Sequence, residues 1–365
     1  GVTVAGDGLA FEHRRFCRRR TRSYDTGGSM TKRPLASLKV LEFSGLGPAP
    51  LAGQLLADLG AHVLTVDRSA PADDPTDINR RGKSSVVLNL KSDEGLQEAL
   101  RLIAEYDVVI EAFRPGVMER LGLGPETCPQ RTIYARMTGW GQDGPLAHVA
   151  GHDINYLGLT GALHAMGAPD TPPVQPLNLV ADYGGGSMFL IFGILAAVIE
   201  RGVTGKGQVV DAAMVDGVPA MMGLIHGMLA QGKWNETRGD NWLDGAAPFY
   251  RCYTCSDGKF VAVGALEPQF YAILLDKLDL PESYRADQND KATWAARTAE
   301  LAVIFATRSR DAWAAHFEGS DACVTPVLTF SEAADHPHMA QRGALQRRAG
   351  VLQSGVAPRF AGLRG

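Results

Sequence analysis

Between residues 38 and 111, short apolar runs alternate with stretches of helical character. This alternation limits the fold more than any other feature of the chain. Residues 40–43, 63–67, 86–88 and 108–111 are apolar and of strand length. Between them lie 50–59, with Pro50 suited to a first helical turn, and a stretch opened by Ser92 with Asp93 and Glu94 behind it. A capping hydroxyl followed by acids marks a helix start, because it satisfies free N–H groups and suits the helix dipole. The repetition predicts an α/β fold built on a doubly wound parallel sheet.

That opening holds a decoy. Gly45-Leu46-Gly47-Pro48-Ala49-Pro50 follows a strand, and Asp67 ends the next strand about twenty residues on, as in a dinucleotide fingerprint. Pro50 stands where the third glycine belongs, and Pro48 removes an N–H that a pyrophosphate would need. The loop reads as a tight βα turn.

A strand at 209–214 and a helix at 215–229 lead to a polar stretch, 232–244, that reads as a linker. A hairpin follows, 249–255 against 260–263, turned by Asp257-Gly258. With helices at 268–277, 292–306 and 310–317 this predicts a smaller α+β domain. Residues 184–199 are almost wholly apolar but shorter than the ~20 residues of a bilayer span, and predict a buried helix. The first 29 residues, with Arg14-Arg15-Phe16-Cys17-Arg18-Arg19-Arg20 and a Gly27-Gly28-Ser29 break, read as a leader outside the fold.

Composition excludes some partners. The chain is 45% hydrophobic and 21% charged, as soluble globular proteins are. Its net charge of −4 gives no reason to expect nucleic acid or an anionic membrane, although a local basic site for a phosphorylated ligand is allowed. Of the five cysteines only Cys252 and Cys255 form a Cys-x-x-Cys, inside a strand pattern and without a second ligand pair. They read as reduced strand residues, with the cytoplasm as the default compartment; a mitochondrial or peroxisomal site is the alternative for a eukaryotic source. His336 and His338 have no further ligand spacing around them, so no metal is expected.

Two segments carry titratable groups at helix starts. Gly151-His152-Asp153-Ile154-Asn155-Tyr156 offers an imidazole and a carboxylate, and Asn178-Leu179-Val180-Ala181-Asp182-Tyr183-Gly184-Gly185-Gly186 offers a carboxylate ahead of three glycines. One group to take a proton, another to return it, and free N–H donors nearby suit proton abstraction beside a carbonyl. Each residue also has a plain structural reading. His152 could be satisfied by backbone contacts, and Asp182 could be a helix cap. The glycines fit a backbone that a ligand must approach closely. Glu267, just before Pro268, has the chemistry of a cap.

These segments, with Ala265-Leu266-Glu267-Pro268-Gln269-Phe270-Tyr271, resemble the class III CoA-transferase family and, within it, the α-methylacyl-CoA racemase branch. Arg114-Pro115-Gly116-Val117, Tyr134-Ala135-Arg136-Met137-Thr138-Gly139-Trp140-Gly141, Gly205-Lys206-Gly207-Gln208-Val209 and Asp321-Ala322-Cys323-Val324-Thr325-Pro326-Val327 extend the likeness from about Leu35 to Phe330. The resemblance implies that His152 and Asp182 exchange the α-proton of a 2-methylacyl-CoA thioester. It implies that Glu267 tunes or orients His152 and that Asp153 contributes a backbone N–H. The same position as Asp182 is the nucleophile in the transferases, and a CoA-binding protein without turnover is a third reading.

It further implies an interlocked homodimer, and no cofactor beyond the coenzyme A carried by the substrate. For the CoA phosphates the basic residues are Arg68, Arg81, Lys83, Arg114 and Arg120, with Arg114 and Arg120 preferred. The expected organisation is a large CoA-binding domain over 30–215, a linker helix and loop over 216–243, a small domain over 244–335, and a short return segment over 336–365.

Overall fold

The computed structural model describes residues 33–43 and 45–361. The leader expected over 1–29 lies outside them. By density of contact the chain divides into two units, Gly1–Val149 with Gly186–Ala213 and Val356–Gly365, and Ala150–Gly185 with Met214–Gly355. This division differs from the expected one chiefly in grouping 150–185 with the later part of the chain.

The first unit holds six parallel strands: β1 (Lys39–Phe43), β2 (His62–Asp67), β3 (Ser84–Val87), β4 (Val108–Glu111), β5 (Ile133–Thr138) and β6 (Val209–Ala213). Their order is β3-β2-β1-β4-β5-β6, so the winding reverses between β1 and β4. Side chains alternate across a strand, and each face takes its own helices. Leu41, Phe43 and Val109 pack with Ala99, Leu102 and Ile103 of α2 (Asp93–Glu105), whose first turn is capped by the Ser92 hydroxyl at 3.2 Å from the Gly95 N–H. On the other face α1 (Pro48–Asp58) lies so close that a Cβ at Gly53 would fall 1.8 Å from Glu42 Oε2. The helix starts two residues before the expected Pro50, and Gly47, at φ +74°, takes the cap position in a conformation that only a glycine readily adopts. A short helix, α3 (Val117–Arg120), follows β4.

After α4 (Asp153–Leu159), a ten-residue π-helical segment, Leu179–Met188, runs directly into α5 (Phe189–Thr204). The expected buried helix is therefore longer, at 26 residues, and only one face of it is buried. By length and composition it could cross a membrane. Leu190, Ile194 and Ala197 face inward, and the helix packs on β5 and β6; Phe192, Ile199 and Val203 are 70%, 74% and 86% exposed. One helix face on a sheet leaves the other face bare.

The helix expected over 215–229 is two, α6 (Met214–Met221) and α7 (Gly223–Ala230). Pro219 removes a helical N–H and Gly223 is a poor helix former, so the chain breaks between them. The glycines ahead of α5 have a packing reason that the sequence reading assigned to a ligand. A Cβ at Gly217 would stand 2.0 Å from the Gly185 carbonyl oxygen, and one at Gly185 would stand 2.9 Å from Val218. The π-helical segment and α6 thus meet backbone to backbone.

The polar stretch before the second sheet is an ordered loop, not a plain linker. Asp244 accepts hydrogen bonds from the N–H groups of Gly239, Asp240 and Asn241, and the buried Asn241 side chain donates to the carbonyls of Asn235 and Thr237. The sheet itself is antiparallel, in the order β7 (Tyr250–Thr254), β8 (Phe260–Gly264), β9 (Val324–Pro326), with α8 (Pro268–Lys277) after β8. Phe249, Tyr253, Trp294, Phe305, Trp313 and Phe317 form its core, each worth about 1.5–3 kcal/mol as buried apolar area. Within the expected return segment the chain forms a hairpin, Leu345–Arg348 against Val351–Ser354. Ala349 and Gly350 both have positive φ, as its two-residue turn requires.

Candidate active site

His152 leaves the chain extended, at φ −136° and ψ 174°, and so takes the N-cap position of α4. Its N–H donates to Asn155 Oδ1 at 3.0 Å, which fixes the helix start, while the residue itself is exposed. Tyr156, one turn on, anchors the same start through its hydroxyl on the Gly151 carbonyl. Asp153, the first residue inside the helix, is only 7% exposed.

The carboxylate of Asp153 reaches across to the π-helical segment. Its Oδ2 accepts from the N–H of Ala181 at 3.0 Å and of Asp182 at 2.7 Å. Those N–H groups lie in the first turn of a helix, where no intrahelical acceptor exists, so a carboxylate is well placed there. Oδ1 of Asp153 is buried without a hydrogen-bond partner. Asp182 is therefore not the cap of this helix but stands inside its first turn; Asp153 does the capping. Packing holds the arrangement, since α4 and Gly184–Gly185 both rest on α6.

Asp182 is half-buried, and its carboxyl is held above the ordinary carboxylate value. Desolvation is the largest cause and the Asp153 charge adds to it, while a hydrogen bond from the Asn178 side chain and the nearby His152 ring pull the other way. An imidazole and a carboxyl of raised proton affinity thus stand within electrostatic reach of each other. Such a pair can take a proton from carbon and give one back.

Residues 35–363 match the family model described as CoA-transferase family III. The chain belongs to that family. It is 45% identical to the alpha-methylacyl-CoA racemase of Mus musculus and 44% identical to that of Homo sapiens, in each case over 85% of this chain and 82% of the relative. Among solved structures a CAIB/BAIF family protein from Brucella suis superimposes with a TM-score of 0.76 at 28% identity, covering 91% of this chain and 93% of its own.

The five cations expected to meet coenzyme A in this family III chain divide into two groups. Arg81 is buried and bonded to Asp58, Nε–Oδ1 2.9 Å and Nη2–Oδ2 2.5 Å. Lys83 is buried and held by both oxygens of Glu42, at 2.7 and 2.9 Å, and by the Pro50 carbonyl at 2.8 Å. Their charges are taken up inside the unit, which is a structural occupation that the sequence reading had not separated from ligand binding. Arg68, Arg114 and Arg120 are exposed and form no ion pair among the described residues. Arg114 precedes α3 and Arg120 ends it, at the carboxyl end of β4, beside the point where the winding reverses and where ligands of such sheets bind.

Glu267 caps α8 by position, without a side-chain cap bond, and is exposed near Cys323. No hydrogen bond or ion pair joins it to His152 among the described residues. Cys252 is an exposed strand residue and Cys255 is buried; both are free thiols. No group of three or more His, Cys, Asp or Glu side chains able to hold a metal occurs among the described residues.

The sequence reading missed one cluster. Arg136 on β5 is buried beside Glu111, bonds Glu119 of α3 and donates to Gln142 Oε1 at 2.7 Å. Its signal was an arginine inside one strand and a glutamate ending its neighbour, both otherwise largely apolar. The cluster ties α3, with Arg120, to the sheet.

Proposed function

We propose that the protein is an isomerase that racemises 2-methylacyl-CoA thioesters by moving one proton on and off the α-carbon. A base removes the α-proton, the electron pair passes into the thioester carbonyl to give an enolate, and an acid on the other face returns a proton to carbon. His152 and Asp182 fill these roles, each the base for one enantiomer and the acid for the other. The backbone N–H of Asp153, first in its helix and without an intrahelical acceptor, is the donor offered to the enolate oxygen. Arg114, Arg120 and Arg68 receive the CoA phosphates, and no further cofactor is needed. The observation that carries the reading is the junction of the His152 helix start with the Asp182 turn through Asp153. The two racemase relatives support the substrate class.

Glu267 acts, in this reading, on His152 of a second copy of the chain. The exposed apolar face of α5 and the exposed Leu224 and Leu229 of α7 support a homodimer, since large exposed apolar surface is the mark of an interaction site. We place the enzyme in the cytoplasm.

Incubation of a (2R)- or (2S)-2-methylacyl-CoA with the protein in deuterated water tests the function. Both epimers should appear from either one, with deuterium at the α-carbon. Transfer of CoA to an added carboxylate, with hydroxylamine trapping an acyl group on Asp182 and no α-deuterium, would establish the transferase reaction instead. Thioester binding without exchange would leave a CoA-binding protein.

A further inference from the structure

Asp153 carries more charge than its visible task requires. Capping the first turn of a helix needs only an acceptor, and Asn, Ser or Thr supplies one without the cost of a buried charge. Yet a carboxylate sits here, nine-tenths removed from solvent, with two backbone N–H groups for partners, no ion pair among the described residues, and one oxygen unpartnered. A buried anion so thinly satisfied is expected to be retained for its charge. What lies next to it is Asp182.

We propose that Asp153 is a positioning residue for the proton transfer: its side chain fixes the Asp182 backbone to the helix start that bears His152, and its carboxylate, beside that of Asp182, disfavours a second negative charge there. The inference rests on the racemase reading and assigns to the Asp153 side chain a part that its backbone N–H does not play. Two bonds to consecutive N–H groups, 28 and 29 residues away in sequence, set the spacing of the two reacting groups without touching substrate. The charge then acts through space. Two carboxylates in one poorly solvated place do not readily both ionise, which raises the proton affinity of Asp182 on top of the larger effect of its burial.

Three residues shift the Asp182 carboxyl besides its burial. Asp153 and His152 come from the start of α4, and Asn178 from the turn before; the ionisable group of α6, Asp216, is exposed and is not among those that shift Asp182. A protonated Asp182 is ready to donate to an enolate. It is poorly prepared to attack a thioester, since a nucleophilic carboxylate must be ionised. The pairing thus favours proton return over acyl transfer at a position that could serve either.

Two variants separate the two effects. Asp153→Asn keeps an acceptor for both N–H groups and removes the charge. Exchange of the enantiomer that Asp182 deprotonates should then keep its KM, and the acid limb of its pH profile should move to lower pH. Asp153→Ala removes the tether as well, and exchange at saturating substrate should fall by roughly 10²-fold with KM held, the usual cost of a small misplacement. An Asn variant whose profile superimposes on the wild type, or an Ala variant with unchanged exchange, overturns the proposal. A direct measurement needs neither activity nor a folded variant. In wild-type protein labelled at the aspartate carboxyls with carbon-13, the Asp182 signal should titrate above the ordinary aspartate range. Titration of Asp182 in the ordinary range overturns the inference whatever the reaction proves to be. A raised Asp182 in a protein that exchanges no α-proton would leave the pairing standing and remove the racemase reading alone.

Discussion

Oδ2 of Asp153 accepts the backbone N–H of Asp182 at 2.7 Å, so two acids 29 residues apart share one corner of the protein. One is the anion that caps a helix turn; the other stands in that turn with its carboxyl raised. The expected consequences begin there.

Asp182→Asn preserves shape and removes a base. The enantiomer whose proton Asp182 takes should lose α-exchange by roughly 10²–10⁴-fold, the scale of one acid–base group. The opposite enantiomer should still take up deuterium through His152, without inversion. His152→Ala should give the mirror pattern, and proton NMR of each enantiomer in deuterated water reads both. Equal loss for the two enantiomers would show that the groups do not stand on opposite faces.

Arg120→Ala should weaken binding of the CoA thioester and flatten its dependence on salt, because an exposed guanidinium on a phosphate acts through a charge-assisted, screened contact. Single-turnover exchange at saturation should change little. Calorimetric titration at low and high salt measures the first, quenched-flow the second.

Complementation should reveal a shared site. Chains carrying Glu267→Ala, co-expressed with chains carrying His152→Ala, should recover one working site per heterodimer, while each variant alone stays impaired. A purified heterodimer without recovered activity would place both residues in the service of a single chain.

Lys83 and Glu42 are both about 2% exposed at the side chain, and each is pressed toward its neutral form by burial. Lys83→Ala leaves the glutamate unpaired and should cost about 3–5 kcal/mol of stability; replacing both by apolar residues of like volume should cost far less. Urea unfolding of the single and double variants makes the comparison. If Lys83 chiefly holds a CoA phosphate, the single variant will instead lose affinity with its midpoint unchanged.

Burial pushes the Glu111 carboxyl up to about 7 from 4.5 in an unfolded chain. Between those values the folded protein keeps a proton that the unfolded chain has released. Stability therefore falls as pH rises through the window, and by no more above it. The loss is about 3 kcal/mol if the whole shift acts, at 1.36 kcal/mol per unit. Glu111→Gln does not titrate, so its stability relative to wild type should improve from about pH 5 to about pH 8. Melting temperatures of the two proteins across that range decide it, and a constant difference would refute the shift.

The sequence by itself determined the alternating α/β sheet, the helix start at His152, the hairpin of the second unit and the candidate residues for the reaction. These follow from local rules: apolar runs of strand length, acids behind a capping serine, and an imidazole and carboxylates in segments read as motifs. It could not decide what each charged residue was for. Arg81 and Arg120 look alike in sequence, and only folding puts Asp58 against the first and leaves the second exposed. Likewise nothing near Asp182 in the chain foretold that its helix turn would be capped from Asp153, or that Gly185 was needed for the backbone at Gly217. Charge pairing and close approach are long-range properties. They depend on which surfaces burial brings together, and a desolvated partner a few ångströms away changes a side chain's proton affinity more than its neighbours in sequence do.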